Sequence, residues 1–96
     1  MQNLFIINLT YTADLDTVLK NRPDHVVFLQ RHYDAGNFLA SGPKVPREGG
    51  IILAQADSKD KVIDIANQDP FITRSLATYE ITEFVPNMTA DNFLKD

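Results

Sequence analysis

The sequence predicts an α+β fold in which four antiparallel strands carry two helices on one face, in the order β-α-β-β-α-β. Two observations point to it. Hydrophobic residues alternate between strand-like runs and helical stripes, and glycine and proline stand at the joins. A third sets the limits: no internal repeat, low-complexity segment or linker divides the chain, so residues 1–96 read as one domain ending in a tail from about residue 87.

Asn3 to Leu9 is rich in Leu, Ile and Phe and runs into Thr10-Tyr11-Thr12, the composition of a buried strand followed by a turn. From Asp14 onward Leu15, Val18 and Leu19 fall at helical spacing, with Asp14 or Thr12 as cap for the free N–H groups of the first turn. Pro23 lacks an amide hydrogen and suits a first helical turn, so the spacing predicts a break there. A second helical piece then carries Val26, Leu29 and Tyr33 on its stripe, and Gly36 sets its end near Asp34 or Ala35.

Phe38 to Gly42 reads as a short strand, residues 43–50 as a long, mobile loop punctuated by proline and glycine, and Ile51 to Ala56 as the returning strand of a hairpin. Asp57 or Ser58 caps a second helix with Val62, Ile63 and Ala66 on its stripe, and Asp60 adds favourable charge in its first turn. Asn67-Gln68-Asp69-Pro70 ends that helix. A residue before proline is driven out of the helical region, which presents the Asp69 carboxylate from a loop. Ala77 to Val85 alternates enough, with β-branched and aromatic residues, to form the last strand, and the tail beyond Pro86 has room for one or two short helical turns.

This order is the split-βαβ or ferredoxin-like arrangement. Its second sheet face lacks a cover, and so short a chain buries a thin core, so a second copy is the expected partner and a homodimer the expected state.

The absence of cysteine excludes a disulfide scaffold, a thiolate metal site and a cysteine nucleophile, and fits a cytoplasmic location. The first residues lack the basic segment and cleavage site of a signal peptide, and no apolar run nears the roughly 20 residues of a membrane helix, so no membrane partner is expected. A net charge of −4, with the basic residues scattered as solvated surface, argues against nucleic acid. Serine hydrolysis and nucleotide binding lose their usual support, since the chain has no G-x-S-x-G, G-x-x-x-x-G-K or G-x-G-x-x-G.

Among chemical candidates, His25 and His32 share a helix face but lie about 10 Å apart along its axis, too far to hold one ion. No metal site is expected. His32 reads as a partly exposed helix residue. His25 stands in the first turn after Pro23, where its ring can reach a crevice between helix and sheet. Asp69 beside it would orient the imidazole, as a general base near neutral pH requires. Read from the residues alone, the pair competes with a plainer account in which Asp69 ends a helix and His25 is a surface group. Ser41, before Gly42-Pro43, is a possible donor to a bound carbonyl or simply turn chemistry. Tyr11, Phe38, Phe71 and Tyr79 suit an aromatic-lined pocket or the core, and Arg22 and Arg47 an anionic substrate or the surface.

Three segments carry a resemblance: Arg22-Pro23-Asp24-His25, the run from Gly36 to Pro43, and Asp69-Pro70-Phe71. In order and spacing they resemble the YciI-like (YCII-related) family over nearly the whole chain. The resemblance implies the same ferredoxin-like layer, paired as a dimeric α+β barrel. It also implies a pocket with a histidine and an aspartate, which by motif match are His25 and Asp69, with Arg22, Ser41 and Phe71 as substrate-binding neighbours. Some relatives look like lyases or dehydrochlorinases of hydroxylated aromatic rings, and muconolactone isomerases share the fold. The expected function is therefore a cofactor-independent enzyme in which His25 and Asp69 move a proton on a small cyclic or aromatic acid. The alternative is a non-catalytic module that binds a small molecule or serves as an accessory dimer.

Overall fold

A computed structural model describes residues 2–93. The chain forms β1 (Asn3–Tyr11), α1 (Leu15–Asp34), β2 (Phe38–Pro43), β3 (Gly49–Ala56), α2 (Lys59–Ala66), α3 (Pro70–Thr73) and β4 (Ala77–Phe84). All strand pairings are antiparallel, in the sheet order β2-β3-β1-β4. The fold class is thus the expected ferredoxin-like α+β layer.

Strand alternation decides which side is covered. Phe5, Ile7 and Leu9 of β1 join Ile52, Ala54 and Ala56 of β3 in one core with Val18 and Phe28 of α1 and Val62, Ile65 and Ala66 of α2. Ile6, Asn8 and Thr10 lie on the opposite face with Ile51, Leu53, Thr78 and Thr82. Residues 85–93 form no helix or strand, in place of the helical turns expected there. Pro86, Met88, Ala90 and Phe93 instead face Leu4, Leu53 and Phe84 across an apolar groove, and Leu4 is buried there.

Helix α1 runs unbroken through Pro23, contrary to the predicted break. The bond that Pro23 cannot make would go to the carbonyl of Leu19, and both residues lie on the exposed side, where water can serve that carbonyl. The helical phase set by Val18 therefore continues past the proline. It buries Phe28 and His32 and packs Leu29 and Tyr33 of the expected stripe against the core, but leaves Val26 exposed. His32 is accordingly 7% exposed rather than a half-exposed surface group. Its ring lies against Phe28 and Phe38, with Nδ1 accepting from Asn37 Nδ2 and Nε2 donating to Gln68 Oε1, both at 3.0 Å. Those two partners hold the ring in place as a packing element.

The end of α1 follows the sequence signal. Gly36 takes φ +79°, and the amides of Asn37 and Gly36 bond back to the carbonyls of His32 and Tyr33 at 2.9 and 3.0 Å.

At the start of α1, Asp14 Oδ1 accepts from the Thr17 backbone N–H at 2.8 Å and from the Thr17 hydroxyl at 2.9 Å. The backbone bond first, and the hydroxyl second, hold the Asp14 carboxyl below its ordinary range. A carboxyl lowered on folding stabilises the native state above its unfolded pKa and loses that contribution as pH falls through the folded value. Asp14→Ala is therefore expected to lower the melting temperature at neutral pH, with the gap to wild type closing from about pH 4 downward. Thermal melts of both proteins from pH 7 to pH 2 check this; a gap constant with pH would remove the carboxylate from the account.

The hairpin is tighter than predicted. β2 and β3 extend inward, leaving residues 44–48 as the loop. Lys44 is not a solvated surface group: its N–H donates to Gly49 O at 2.9 Å, and its Nζ reaches past β3 to Asn8 Oδ1 at 2.9 Å and Thr10 Oγ1 at 3.3 Å on β1. The Tyr11 N–H donates to Glu48 O at 2.9 Å. The loop is thus tied at both ends to β1.

Phe38 pairs with Ala54, but Ala40 pairs with Leu53, so two residues of β2 advance for one of β3, a β-bulge.

Candidate functional site

The second helix ends as predicted near Asn67, but the Asp69-Pro70 turn opens a further short helix, α3, that the sequence reading missed. Asp69 is its N-cap in extended conformation, Pro70 follows at the first position, where its missing N–H costs nothing, and the Asp69 carboxylate accepts from the Phe71 N–H at 2.9 Å. Three consecutive residues thus aim a carboxylate and an aromatic ring in fixed relation.

Helix α1 brings His25 to both. His25 Nδ1 lies 2.8 Å from Asp69 Oδ1, with side chains 12% and 2% exposed. Because that oxygen is a carboxylate acceptor, Nδ1 carries the hydrogen and donates it, and the neutral ring then has a bare Nε2. The Phe71 ring stacks on the imidazole, with centroids 4.0 Å apart and planes 7° from parallel. Among the described residues Nε2 has no protein partner. The second oxygen, Asp69 Oδ2, is buried and accepts no hydrogen bond. A buried carboxylate served on one oxygen only is a costly arrangement, of the kind that functional sites retain.

Helix α3 is fastened to α1 by Arg74, whose Nη1 donates to Asn21 Oδ1 and Nη2 to Asp24 Oδ2, each at 2.8 Å. Arg74 was expected to be solvated surface. Its value here is geometric: it joins the helix that carries His25 to the one that carries Asp69 and Phe71.

His25 and Phe71 open onto a cleft of about 170 Å³ between α1 and the β2–β3 hairpin. Leu9, Leu29 and Ile52 supply apolar walls, and Arg22, Ser41 and Arg47 its polar groups. A cavity of about 150 Å³ accepts a benzene ring, so this one has room for a single six-membered ring with small substituents. The structure therefore places His25, Arg22, Ser41 and Phe71 around one cleft, with Asp69 buried behind the histidine. Of the other aromatics, Tyr11 lines the cleft, Phe38 is core, and Tyr79 donates to Asn67 Oδ1 at 2.8 Å, away from it.

The ion pairs among the described residues are His25 with Asp69 and Arg74 with Asp24, so Arg22 and Arg47 reach the cleft without a carboxylate partner. The described residues contain no group of three His, Asp or Glu side chains arranged to hold a metal ion. They also contain no helix long and apolar enough to cross a membrane. Sequence reasoning missed Tyr33, whose hydroxyl meets Ser41 Oγ at 2.7 Å. No motif links the two, since they sit on different elements.

Fold and cleft together define an α+β protein with a buried His–Asp pair beside a ring-sized, arginine-rimmed pocket. The chain belongs to the YCII-related domain family, which matches residues 3–85. A solved structure similar to it is 5-chloro-2-hydroxyhydroquinone dehydrochlorinase (TftG) from Burkholderia phenoliruptrix AC1100, in complex with 2,5-dihydroxybenzoquinone. The likeness has a TM-score of 0.74 at 20% identity and covers 84% of this chain and 92% of that one. No curated protein sequence matches this chain.

Proposed function

We propose that the protein is a cofactor-independent enzyme of lyase or isomerase type, in which His25 and Asp69 move a proton on a small cyclic or aromatic acid. The observation that carries this is the 2.8 Å bond between His25 Nδ1 and Asp69 Oδ1 at a cleft sized for one ring. Asp69 fixes the tautomer, which leaves Nε2 as the base.

In the reaction Nε2 takes a proton from a ring carbon. The electron pair left behind either expels an anion from a neighbouring carbon, which is elimination, or is reprotonated elsewhere on the ring, which is isomerisation. The imidazolium formed meanwhile is stabilised by the Asp69 charge and returns its proton to the leaving or re-forming atom. Phe71 supports the imidazole on one face, and Arg22 and Arg47, both without a carboxylate partner, attract the acidic group of the ring. The complex of the dehydrochlorinase with a dihydroxyquinone supports a hydroxylated ring as the substrate class. The sheet face bearing Ile6, Ile51 and Phe84 supports pairing of two copies, and light scattering on the purified protein should give the mass of two chains.

The test is a panel of chlorinated and unchlorinated hydroxyhydroquinones and cyclic lactone acids, followed by chloride release and product mass. Conversion of at least one ring is expected, and His25→Gln should slow it by about 10²–10⁴-fold. A ring that binds and is recovered unchanged would make the protein a binding module instead.

A further inference from the structure

The polar rim of the cleft contains a second hydrogen-bonded pair. Ser41 lines the cleft from β2, and its Oγ lies 2.7 Å from the hydroxyl of Tyr33 on α1. Tyr33 is not a cleft-lining residue; its ring stands edge-on to the buried Phe38, centroids 6.0 Å apart and planes at 84°, which fixes where the phenol points.

The β2 bulge explains how Ser41 comes to be there. Phe38 faces the helices opposite Ala54, and strict alternation would then send residue 41 to the other side of the sheet. The extra residue between Phe38 and Ala40 reverses the alternation, so Ser41 pairs with the core residue Ile52 and shares its face. Bulges beside functional sites re-aim side chains in this way.

We propose that Tyr33 is a positioning residue that acts through Ser41, resting on the ring-binding function above. The phenol is the more acidic hydroxyl, so Tyr33 donates and Ser41 Oγ accepts. The Ser41 proton is then left to point into the cleft as a donor to an oxygen substituent of the ring. A hydroxyl that already accepts a bond is a stronger donor, so the pair outperforms a lone serine. The bulge, Tyr33 and Ser41 thus form one device that reads oxygen on the ring, separate from the His25–Asp69 pair that moves the proton.

The experiment titrates 2,5-dihydroxybenzoquinone into wild type, Tyr33→Phe, Ser41→Ala and the double variant. Alongside, the tyrosine Raman doublet, which reports whether a phenol donates or accepts, is recorded on the ligand-free proteins. Tyr33→Phe is expected to weaken binding by about three- to tenfold in the wild-type background and not at all once Ser41 is alanine. An equal loss in both backgrounds would mean that Tyr33 acts only on the packing and would overturn the proposal, as would no loss in either. If the quinone fails to bind wild type, the ring-binding function fails on its own terms. The Raman doublet then decides this proposal: a loss of tyrosine donor character in Ser41→Ala supports it, and an unchanged doublet sinks it.

Discussion

Asp69→Asn is expected to leave the protein at least as stable as wild type while cutting turnover of its ring substrate by about 10²-fold or more. The two effects separate because the two carboxylate oxygens do different things. Oδ1 accepts from His25 Nδ1 and from the Phe71 N–H, whereas Oδ2 is buried and accepts nothing. An asparagine keeps an acceptor oxygen for both donors, and the Phe71 amide holds that oxygen in the correct orientation. The orphaned oxygen becomes an amide nitrogen, and removing a buried charge with one unserved oxygen relieves desolvation. Under the proposed mechanism, what is lost is the negative charge that would stabilise the imidazolium once Nε2 has taken a proton. Asp69→Ala is the contrast: it removes the helix cap and the histidine's partner together and should cost about 2–3 kcal/mol. Urea unfolding and turnover measured on the same preparations check both. Full activity in Asp69→Asn would show that the charge plays no part in the reaction, and a clear loss of stability would show that the unserved N–H groups of the new amide cost more than the buried charge they replace.

Gly49→Ala is expected to be the most damaging small substitution in the sheet, costing more than about 2 kcal/mol. A Cβ on Gly49 would stand 1.8 Å from the Leu9 carbonyl oxygen and 2.6 Å from Lys44 Cε. The lysine could swing away, but the oxygen belongs to the backbone of β1, and Gly49 is itself paired with Thr10 in that strand. One of the two strands must move. Since the Lys44 N–H bonds to Gly49 O, the displacement passes into the loop that carries Arg47 to the cleft. Gly50→Ala is the control: its Cβ would lie 3.3 Å from Gly42 O, a contact that a small shift relieves. Chemical denaturation of the pair should separate them clearly; equal costs would mean that β1 yields at Leu9 more readily than a paired strand should.

The sequence was informative wherever a local rule had no competitor. The Gly36 cap and the extended conformation of Asp69 before Pro70 follow from single-residue backbone preferences, and the four strands from runs of apolar, β-branched and aromatic residues. Pro23 misled because its cost is local, whereas its placement is tertiary. On the water side of a helix anchored by Val18 and Phe28, one missing bond is tolerated, and the helical phase of everything downstream shifts with it. That misreading accounts for the buried position wrongly expected of Val26; His32 was misjudged separately, from the usual half-burial of histidine, because its two hydrogen-bond partners lie on other segments. The same uninterrupted phase carries His25 toward Asp69.

The residues that the sequence could not reveal are those joined across elements. Arg74 meets Asn21 and Asp24, and Tyr33 meets Ser41, through geometry set by helix packing and by a bulge with no turn residue to mark it. Lys44 misled in the same way, because only the register of β1 against β3 brings Asn8 and Thr10 within its reach.

The groups around the cleft come from two separately supported parts of the chain. His25, Asp69 and Phe71 sit on α1 and α3, which Arg74 locks together, while Ser41 and Arg47 belong to the β2–β3 hairpin, which Lys44 and Glu48 tie to β1. A change at residues 45–47 touches neither the Arg74 contacts nor the His25–Asp69 pair, and the chain passes from Pro43 to Gly49 without entering the core. Under the proposed function this layout favours descent with modification: one lineage can try new ring substituents by exchanging a few exposed loop residues while the His25–Asp69 pair is inherited intact. The same layout marks residues 45–47 as the place for a directed library aimed at retargeting the protein.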